Sequence, residues 1–382
     1  APAAAKRRKY QMEERIASMT EYSEKTPLNR VEKGCSKVGI ITSGISYHHA
    51  KEVFGEEASY LKLGFTWPLP EKMILTFAAS VESLYVIEEN EPYLETFVKA
   101  LGIPCVGREK LPWVDELTPE IIRQAFFPES TKQQNYAIDA QVPPRPPVLC
   151  AGCTHRGFYY EIAKYKDIVV TGDIGCYTLG MVPPLSALDT VICMGASVSA
   201  GVGFHKAAEI ARRKQKVFAV IGDSTFFHSG ITGLIDAVVN KAPIVINILD
   251  NRITAMTGHQ PHPGTGQTMM GEISEKVSIE AVLKAIGVQF VETCSPFDLA
   301  KAQEAVKRAA EHKGVAAVIF RAPCITVSKP LPLLTVNSHK CTGCKRCIKE
   351  LGCPAISYSG HKAVIEPSMC YGCTICAQVC PF

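Results

Sequence analysis

The stretch KVFAVIGDSTFFHSGITGLIDAVVNKAPIVINILDN, residues 216–251, decides the fold of this chain. It begins with a short apolar, β-rich run at 217–221, which predicts a buried strand. Apolar residues at helical spacing follow over 230–240, and Pro243 ends that segment. A second apolar run at 244–249 predicts another buried strand. The order strand, helix, strand predicts one unit of a parallel α/β sheet.

Polar residues stand directly after both predicted strands. A right-handed crossover places Asp223 and Asn251 at the carboxyl ends of two parallel strands, where open α/β sheets bind ligands. The helix after Gly222 points free amides and its positive dipole end at the same crevice. A carboxylate, an amide oxygen and a backbone carbonyl such as that of Ile253 suit Mg²⁺, which completes its shell with phosphate oxygens and water. We therefore predict a magnesium diphosphate site; the alternative is a structural unit in which Asp223 caps the helix.

Composition excludes several classes of function. The chain has 382 residues, enough for two or three domains with a sizeable core. It is 47% hydrophobic, yet no apolar run reaches transmembrane length, which predicts a soluble chain with no membrane partner. We find no secretory signal. The net charge of +4 is too small to indicate a nucleic-acid partner.

Sixteen cysteines are the outlying feature, and eight of them fall within 341–382. Such clustering indicates metal or cofactor binding rather than disulfides. Two CxxCxxC runs, each followed by a distant Cys-Pro, predict two [4Fe–4S] clusters in which the fourth cysteine of each run ligates the other cluster. The first predicted set is Cys341, Cys344, Cys347 and Cys380, and the second is Cys353, Cys370, Cys373 and Cys376. Zinc is the rival, but zinc sites use pairs of CxxC rather than such triplets.

Alternating short strands and helices predict two parallel α/β domains, at 35–130 and 149–333. We expect 1–34 to be an irregular linker, 131–148 to be a Pro-rich linker, and 334–382 to be a two-[4Fe–4S] ferredoxin-like domain. Individual elements expected here include a helical piece near 12–19 and strands at 38–43, 168–172, 191–194, 288–291 and 316–321.

Two further cysteine features stand outside the C-terminal tail. Cys150 and Cys153 form an isolated CxxC; zinc binding and redox pairing are disfavoured because no second pair lies nearby in the sequence. Cys176 follows the predicted strand at 168–172 and is expected to face the same crevice as Asp223. The alternative for Cys176 is a small buried apolar residue.

The stretch at 216–251 resembles the signature of thiamine diphosphate enzymes, in which Gly-Asp-Gly is followed by Asn after one helix and one strand. Ser224 occupies the third position here. By this resemblance, Asp223, Asn251 and the carbonyl of Ile253 ligate Mg²⁺. The domain at 35–130 resembles the transketolase C-terminal-like domain, which implies a scaffold without thiamine chemistry.

Nearly the whole chain resembles the large (alpha) subunit of indolepyruvate ferredoxin oxidoreductase. Besides the magnesium unit and the cysteine tail, the motifs that carry the resemblance are GIITSGISY at 39–47, LKLGFTWPLP at 61–70, LCAGCTHRG at 149–157 and GDIGCYT at 172–178. The resemblance implies thiamine diphosphate-dependent oxidation of aryl pyruvates to aryl-acetyl-CoA and CO₂, with electrons passing through two [4Fe–4S] clusters to ferredoxin. It also implies coenzyme A as co-substrate, a smaller beta subunit in a hetero-oligomer, and a cytoplasmic location.

The same resemblance implies roles for individual residues. His155 and Cys176 are the catalytic candidates. The residues implied to line the cofactor pocket or contact the diphosphate are Gly172, Asp173, Gly175, Cys176, Gly222, Asp223, Ser224, Asn251, Thr257 and Gly258. His259 and His262 are candidates for proton transfer by position alone, and solvated loop histidines are the favoured alternative.

One departure concerns the glutamate that activates thiamine in this class of enzyme. No residue here is assigned that role, because the N-terminal pyrimidine-binding domain that supplies it would precede residue 1. Either the chain is truncated or another polypeptide completes the site. Two alternative functions stay open: oxidation of another 2-oxo acid (pyruvate or a branched-chain acid), and a purely electron-transferring iron–sulfur subunit.

Overall fold

A computed structural model describes residues 2–130 and 145–382 of the chain. The chain divides into two compact units, residues 1–141 and 142–382. The predicted linker at 131–148 lies, except for its last four residues, outside the described residues. No helix within the described ranges is long and apolar enough to cross a membrane.

A four-stranded sheet with the order β1-β3-β2-β4 forms the centre of the first unit. Strands β2, β3 and β4 are parallel, and β1 pairs antiparallel with β3. Helices pack on the sheet and bury two apolar clusters, one of which contains Ile41 and Leu61, and the other Ile40 and Tyr60. The elements are α1 Pro2–Lys25, β1 Asn29–Glu32, β2 Val38–Ser43, α2 Gly44–Phe54, β3 Ser59–Leu63, α3 Glu71–Ala79, β4 Ser83–Ile87, α4 Tyr93–Ala100 and α5 Pro119–Phe126.

The N-terminal segment is not an irregular linker, and that prediction is wrong. Helix α1 extends well beyond the helical piece expected at 12–19, and β1 forms the edge of the sheet. The carboxylate of Glu24 accepts hydrogen bonds from the amides of Lys72 and Met73, at 2.8 and 3.0 Å, in the first turn of α3. The segment is therefore ordered by partners far along the chain, which local sequence pattern does not report.

A six-stranded parallel sheet with the order β6-β5-β7-β8-β10-β9 forms the centre of the second unit. Successive residues of β7 alternate between two buried clusters, with Phe218 in one and Ala219 in the other. Both faces are therefore covered, as expected for near-continuous apolar strands. The elements are α6 His155–Ile162, β5 Ile168–Gly172, β6 Thr190–Val191, α7 Ala196–Ile210, β7 Lys216–Gly222, α8 Asp223–Thr225, α9 Ile231–Val239, β8 Val245–Asp250, α10 Ile279–Ile286, β9 Phe290–Cys294, α11 Leu299–Glu311 and β10 Ala316–Arg321.

Two predicted strands of this sheet have the wrong extent. The strand expected at 191–194 is only the two-residue β6, because the amide of Ala196 bonds the carbonyl of Cys193 and Gly195 turns the chain with φ +87°. The strand expected at 288–291 begins later, as β9. The strands expected at 38–43, 168–172 and 316–321 are confirmed as β2, β5 and β10.

The strand–helix–strand unit that opened the sequence analysis forms as predicted, with an earlier helix start. Helix α8 begins at Asp223, immediately after β7, and one π-type turn at 226–230 joins it to α9. Strands β7 and β8 are parallel neighbours, with Gly222 opposite Leu249. Asp223 and Asn251 therefore follow the carboxyl ends of adjacent strands, which confirms the predicted placement.

The cysteine module, residues 334–382, contains the antiparallel hairpin of β11 Ile356–Ser359 and β12 Lys362–Ile365 and the short helices α12 Arg346–Lys349 and α13 Ile375–Val379. Each CxxCxxC run contains a glycine with positive φ, Gly343 at 72° and Gly372 at 76°, two residues before a second positive-φ residue. Such repeated left-handed turns point successive amides inward. The two halves of the module thus share one backbone design.

This module packs directly on the α/β domain of the second unit. Tyr160 of α6 belongs to the same buried cluster as Leu351, Ile375 and Val379. The two parts approach so closely that a Cβ at Gly152 of the α/β domain would lie 2.2 Å from the Cβ of Tyr371 in the module. Helix α6 is consequently buried on every side.

Candidate functional site

A pocket lies at the carboxyl edge of the six-stranded sheet and has a volume of about 80 Å³. An adjoining hollow of about 430 Å³ shares Ser224, Thr254 and Thr257 with it. We call the two together the sheet-edge pocket. Predicted site residues that line the 80 Å³ part are His155, Gly175, Cys176, Gly222, Asp223, Ser224, Asn251, Ile253 and Thr257. Together the two volumes are of the size that small-molecule ligands occupy.

Asp223 and Asn251 lie side by side in this pocket. The amide of Arg252 donates to Oδ2 of Asp223 at 2.7 Å, and the next amide, of Ile253, donates to Oδ1 of Asn251 at 3.1 Å. Consecutive amides thus hold both side-chain oxygens at one turn of the chain. Both residues are more than 90% buried. A carboxylate and an amide oxygen held together in this way fit the oxygen ligands that Mg²⁺ prefers.

His262 is buried against Asp223. Its Nε2 lies 3.1 Å from Oδ2 of Asp223, and its side chain is 1% exposed. Its Nδ1 accepts a hydrogen bond from the amide of Gly264, so Nε2 carries the proton of the ring. The N–H at Nε2 is nevertheless not aligned with Oδ2 of Asp223 as a hydrogen bond. The expectation of a solvated loop histidine is therefore wrong for His262, whereas His259 is exposed. His262 is buried because its loop returns to the edge of the sheet.

His155 opens α6 and reaches the same point. Its Nε2 lies 3.5 Å from Nδ2 of Asn251, and its ring meets the ring of Tyr177 edge-on at 5.9 Å. Burial lowers the pKa of His155 to about 4, against an opposing effect of Asp223. The imidazole is therefore neutral at pH 7 and is able to accept a hydrogen bond.

Asp173 lies behind the pocket lining rather than in it. Its carboxylate accepts hydrogen bonds from the amides of Ile174 and Gly195, at 2.7 and 2.8 Å, and from Oγ of Ser197 at 3.0 Å. Burial raises its pKa. These contacts join the end of β5 to the start of α7. Two other predicted pocket residues, Gly172 and Gly258, are likewise absent from the described lining.

Tyr177 is a pocket residue that the sequence did not single out. A Cβ on Gly222 would lie 2.5 Å from its ring, and a Cβ on Gly175 would lie 2.4 Å from it. The ring is thus seated on the two glycines that end β7 and follow β5. Its hydroxyl donates to the carbonyl of Ile174 at 2.9 Å. The sequence signal for the position of this ring was the glycine at each of the two predicted turns, because a ring packs this closely on the backbone only where no side chain is present.

The C-terminal cysteines neighbour one another in two groups that have the members of the two predicted sets, and their role as cluster ligands stays a prediction. Burial raises the pKa of Cys347, and the neighbours that raise it further are the remaining members of its set, Cys344, Cys380 and Cys341. Burial also raises the pKa of Cys376, to about 12. Cys373, Cys353 and Cys370 act on it as the other members of the second set, followed by Cys347. We call these sets the first and second cysteine groups. The exchange of the fourth cysteine between runs is therefore compatible with the fold.

Backbone amides favour the thiolate form of one member of the first cysteine group. Its members, with Cys376, line a cavity of about 250 Å³. Amides of Ala363 and Gly343 donate to the sulfur of Cys341 and lower its pKa. Thiolates stabilised by amides are the ligands that iron–sulfur clusters require, so the residues fit such a group.

A third cysteine group adjoins the sheet-edge pocket: Cys150, Cys153, Cys176 and Cys324. Burial raises the pKa of Cys153 to about 12 and also raises that of Cys176. In each case other thiols of this group contribute. The amide of Cys324 donates to the carbonyl of Asn251 at 2.9 Å. The CxxC judged isolated from its sequence therefore has two thiol neighbours in space, which β5 and β10 deliver at their carboxyl ends.

A site for a single metal ion differs from the site of an iron–sulfur cluster. Across residues 2–130 and 145–382, no three His, Cys, Asp or Glu side chains converge as the ligands of one metal ion. This holds for the eight C-terminal cysteines as well as for the third cysteine group.

Two family models match the chain. The model for the thiamine pyrophosphate enzyme C-terminal TPP binding domain matches residues 173–320, and that for the 4Fe-4S dicluster domain matches residues 333–381. The first range includes Asp223 and Asn251, and the second includes all eight C-terminal cysteines. The predicted fold class, two α/β domains with parallel sheets and a C-terminal dicluster domain, is confirmed, as are thiamine diphosphate and iron–sulfur clusters as the cofactors of these domain types.

Curated relatives match along nearly the whole chain. The indolepyruvate oxidoreductase subunit IorA of Methanothermobacter marburgensis is 38% identical over 405 residues, which cover 100% of this chain and 65% of the relative. The subunit IorA of Thermococcus kodakarensis is 39% identical over 411 residues, with 97% and 63% covered. The chain is similar to IorA subunits of indolepyruvate oxidoreductases along nearly its whole length. It spans less than two thirds of the length of these IorA relatives.

A solved structure of a 2-oxoglutarate:ferredoxin oxidoreductase from Magnetococcus marinus, with 2-oxoglutarate, coenzyme A and succinyl-CoA bound, is a more distant likeness. It is 18% identical, covers 65% of this chain and 91% of that chain, and has a TM-score of 0.42. A likeness at this level does not bear on the site described above.

Proposed function

We propose that the chain is the thiamine- and iron–sulfur-bearing part of an enzyme that oxidises aryl pyruvates such as indolepyruvate. The products are aryl-acetyl-CoA and CO₂, and the electrons pass to ferredoxin. The observation that carries the proposal is the sheet-edge pocket with Asp223 and Asn251, which lies in the same compact unit as the cysteine module. The names of the IorA relatives support the choice of substrate.

In this proposal Asp223, Asn251 and the carbonyl of Ile253 hold Mg²⁺, and the start of α8 with Ser224 receives the diphosphate. Thiamine diphosphate, when bound, supplies the electron sink that lets a 2-oxo acid lose CO₂. Neutral His155 holds the side chain of Asn251 by accepting from its Nδ2. Cys176 lines the same pocket, and it contacts substrate only if the third cysteine group holds no cluster.

Iron–sulfur clusters, when bound, would carry electrons one at a time. The first and second cysteine groups hold two [4Fe–4S] clusters. We include a third cluster, held by the third cysteine group, because soft thiolates select such clusters and because the amide of Cys324 bonds the carbonyl of Asn251 at the pocket. A cluster there would stand between the pocket and the cysteine module.

Other polypeptide segments complete the enzyme. The glutamate that activates thiamine is not assigned to any residue of this sequence, so the proposal requires it from a further segment or chain. A smaller beta subunit, ferredoxin and coenzyme A are the proposed partners, and the cytoplasmic location implied by the family stays a prediction.

Anaerobic viologen reduction by the native complex, supplied with thiamine diphosphate, Mg²⁺ and coenzyme A, tests this function. Indolepyruvate and phenylpyruvate are compared with pyruvate and 2-oxoglutarate. We expect coenzyme A-dependent reduction with the aryl acids only, and none with an Asp223→Asn complex. Reduction with pyruvate alone would keep the reaction and replace the substrate class.

The alternative from another class is a purely electron-transferring subunit. It predicts no reduction with any 2-oxo acid and no binding of thiamine diphosphate, although dithionite still reduces the clusters. The burial of Asp223 and Asn251 at a shared turn favours the enzyme, since a structural unit has no need of two adjacent oxygen ligands facing a pocket.

A further inference from the structure

Arg156 is a buried cation in the first turn of α6. The residue is 3% exposed. One terminal nitrogen of its guanidinium donates to the carbonyls of Leu149 and Cys150, at 2.6 and 3.2 Å, and the other donates to the carbonyl of Leu351. The side chain therefore joins the loop of the third cysteine group to the cysteine module.

The charge of Arg156 lacks an anionic partner among these contacts. All three acceptors are neutral carbonyl oxygens, and Nε donates to no acceptor in the part of the chain that the structure describes. A guanidinium stays charged even when buried. Because a buried charge without an opposite charge is strongly unfavourable, the site calls for an anion.

Thiols of two groups lie near this charge: Cys153 of the third group, three residues earlier in the chain, and those of the second group. Arg156 lines a hollow together with Cys353, Cys370, Cys373 and Cys376. The carbonyl of Leu351, which accepts from Arg156, stands two residues before Cys353 of this group. Four thiolates around an iron–sulfur core carry a net negative charge, which grows by one unit when the cluster is reduced.

We propose that Arg156 is the buried counter-charge of the cluster in the second cysteine group and raises its reduction potential. A nearby cation stabilises the reduced, more negative state, and net charge is one of the factors that set such potentials. A higher reduction potential would favour electron transfer from the pocket side to the cluster in the second cysteine group. Arg156 is thus a positioning and tuning residue rather than a catalytic one.

The inference rests on the clusters of the proposed function but not on its substrate. Reductive titration of the anaerobically purified native complex, followed by electron paramagnetic resonance, therefore tests it without any 2-oxo acid. Arg156→Gln removes the charge, and Arg156→Lys keeps the charge while losing the fork of hydrogen bonds. Arg308→Gln removes a half-exposed arginine of the same unit, paired with Glu292, and serves as the matched control.

With Arg156→Gln we expect about a tenfold lower ratio of reduced to oxidised cluster at a fixed potential, which equals about 59 mV for one electron. Arg156→Lys and Arg308→Gln should stay within about twofold of the wild type. Equal potentials in the Gln and Lys variants, whether shifted or not, would overturn the proposal.

Iron content covers the case in which Arg156→Gln fails to retain the cluster. Loss of iron with Gln and retention with Lys supports the proposal, because charge is then what the cluster needs. Equal loss in both variants overturns it in favour of a role limited to the hydrogen bonds. Failure of aryl pyruvates as substrates would leave these readings unchanged.

Discussion

Nε2 of His262 lies 3.1 Å from Oδ2 of Asp223, and both side chains are buried. Its other ring nitrogen accepts from the amide of Gly264, which fixes the proton on the nitrogen that faces the carboxylate. The histidine therefore packs against the carboxylate that we propose as a magnesium ligand. Changes to partners behind a metal ligand typically cost about 10–100-fold in metal affinity.

His262→Asn is expected to lower the affinity of the complex for Mg²⁺ and thiamine diphosphate by about tenfold. The asparagine oxygen replaces Nδ1 as acceptor for Gly264, so the turn is kept and only the group facing Asp223 is lost. Calorimetric titration of the cofactor-depleted complex measures the change. His259→Asn, at an exposed position of the same loop, is the control and should leave affinity unchanged. An equal loss in both variants would contradict a role specific to His262.

Asp223 and Asp173 were both implied as cofactor residues, and the structure separates their expected effects. Asp223→Asn should weaken Mg²⁺ and thiamine diphosphate binding by more than about 100-fold, since changes behind the ligands alone cost about 10–100-fold. Asp173→Asn should instead lower the free energy of unfolding by about 1–3 kcal/mol, because its carboxylate satisfies buried donors. Binding titrations and urea unfolding of both variants measure the two effects. An equal loss of binding in Asp173→Asn and Asp223→Asn would mean that Asp173 is a cofactor-binding residue after all.

Short-range sequence signals predicted much of this site. The two apolar runs at 217–221 and 244–249 predicted where Asp223 and Asn251 would lie, because parallel strands present their carboxyl ends at one edge of the sheet. The cysteine groups followed from spacing, since each triplet is closed within seven residues. In both cases the information lies within one supersecondary unit.

The remainder depended on contacts between distant segments. Cys324 joins Cys176 only because β10 and β5 end at the same edge, and His262 is buried only because its loop returns to Asp223. Arg156 lies in the LCAGCTHRG motif, but nothing in that motif indicates that it bonds Leu351, almost two hundred residues away. Helix α1 is ordered for the same reason, through Glu24 and α3.

Cys324→Ala tests the third cysteine group. Three [4Fe–4S] clusters predict about 12 iron atoms per chain in the native complex, and loss of one ligand set predicts about 8. Iron and acid-labile sulfide analysis measures this. Cys193→Ser replaces an exposed cysteine outside the three groups and should leave the count unchanged. About 8 iron atoms in the wild type, with no change in Cys324→Ala, would leave only the two C-terminal clusters.

The pKa of His155 predicts a specific dependence of stability on pH. Burial lowers this pKa to about 4 in the folded chain, from the ordinary histidine value of 6.5. Between these values the unfolded chain binds more protons, so the free energy of unfolding falls as pH decreases from about 6.5 toward 4. At 1.36 kcal/mol per pKa unit, the loss attributable to His155 is on the order of 1–3 kcal/mol.

His155→Gln should remove this contribution while keeping a polar group beside Asn251. Urea unfolding of both proteins between pH 5 and pH 7 gives the difference in unfolding free energy, and we expect that difference to grow in favour of the wild type as pH rises. Asp173 and Asp250, whose pKa values burial raises, have the opposite dependence, but they are common to both proteins and cancel. His259→Gln controls for the loss of an exposed histidine. A difference independent of pH would mean that His155 titrates normally in the folded chain and is not the neutral partner of Asn251.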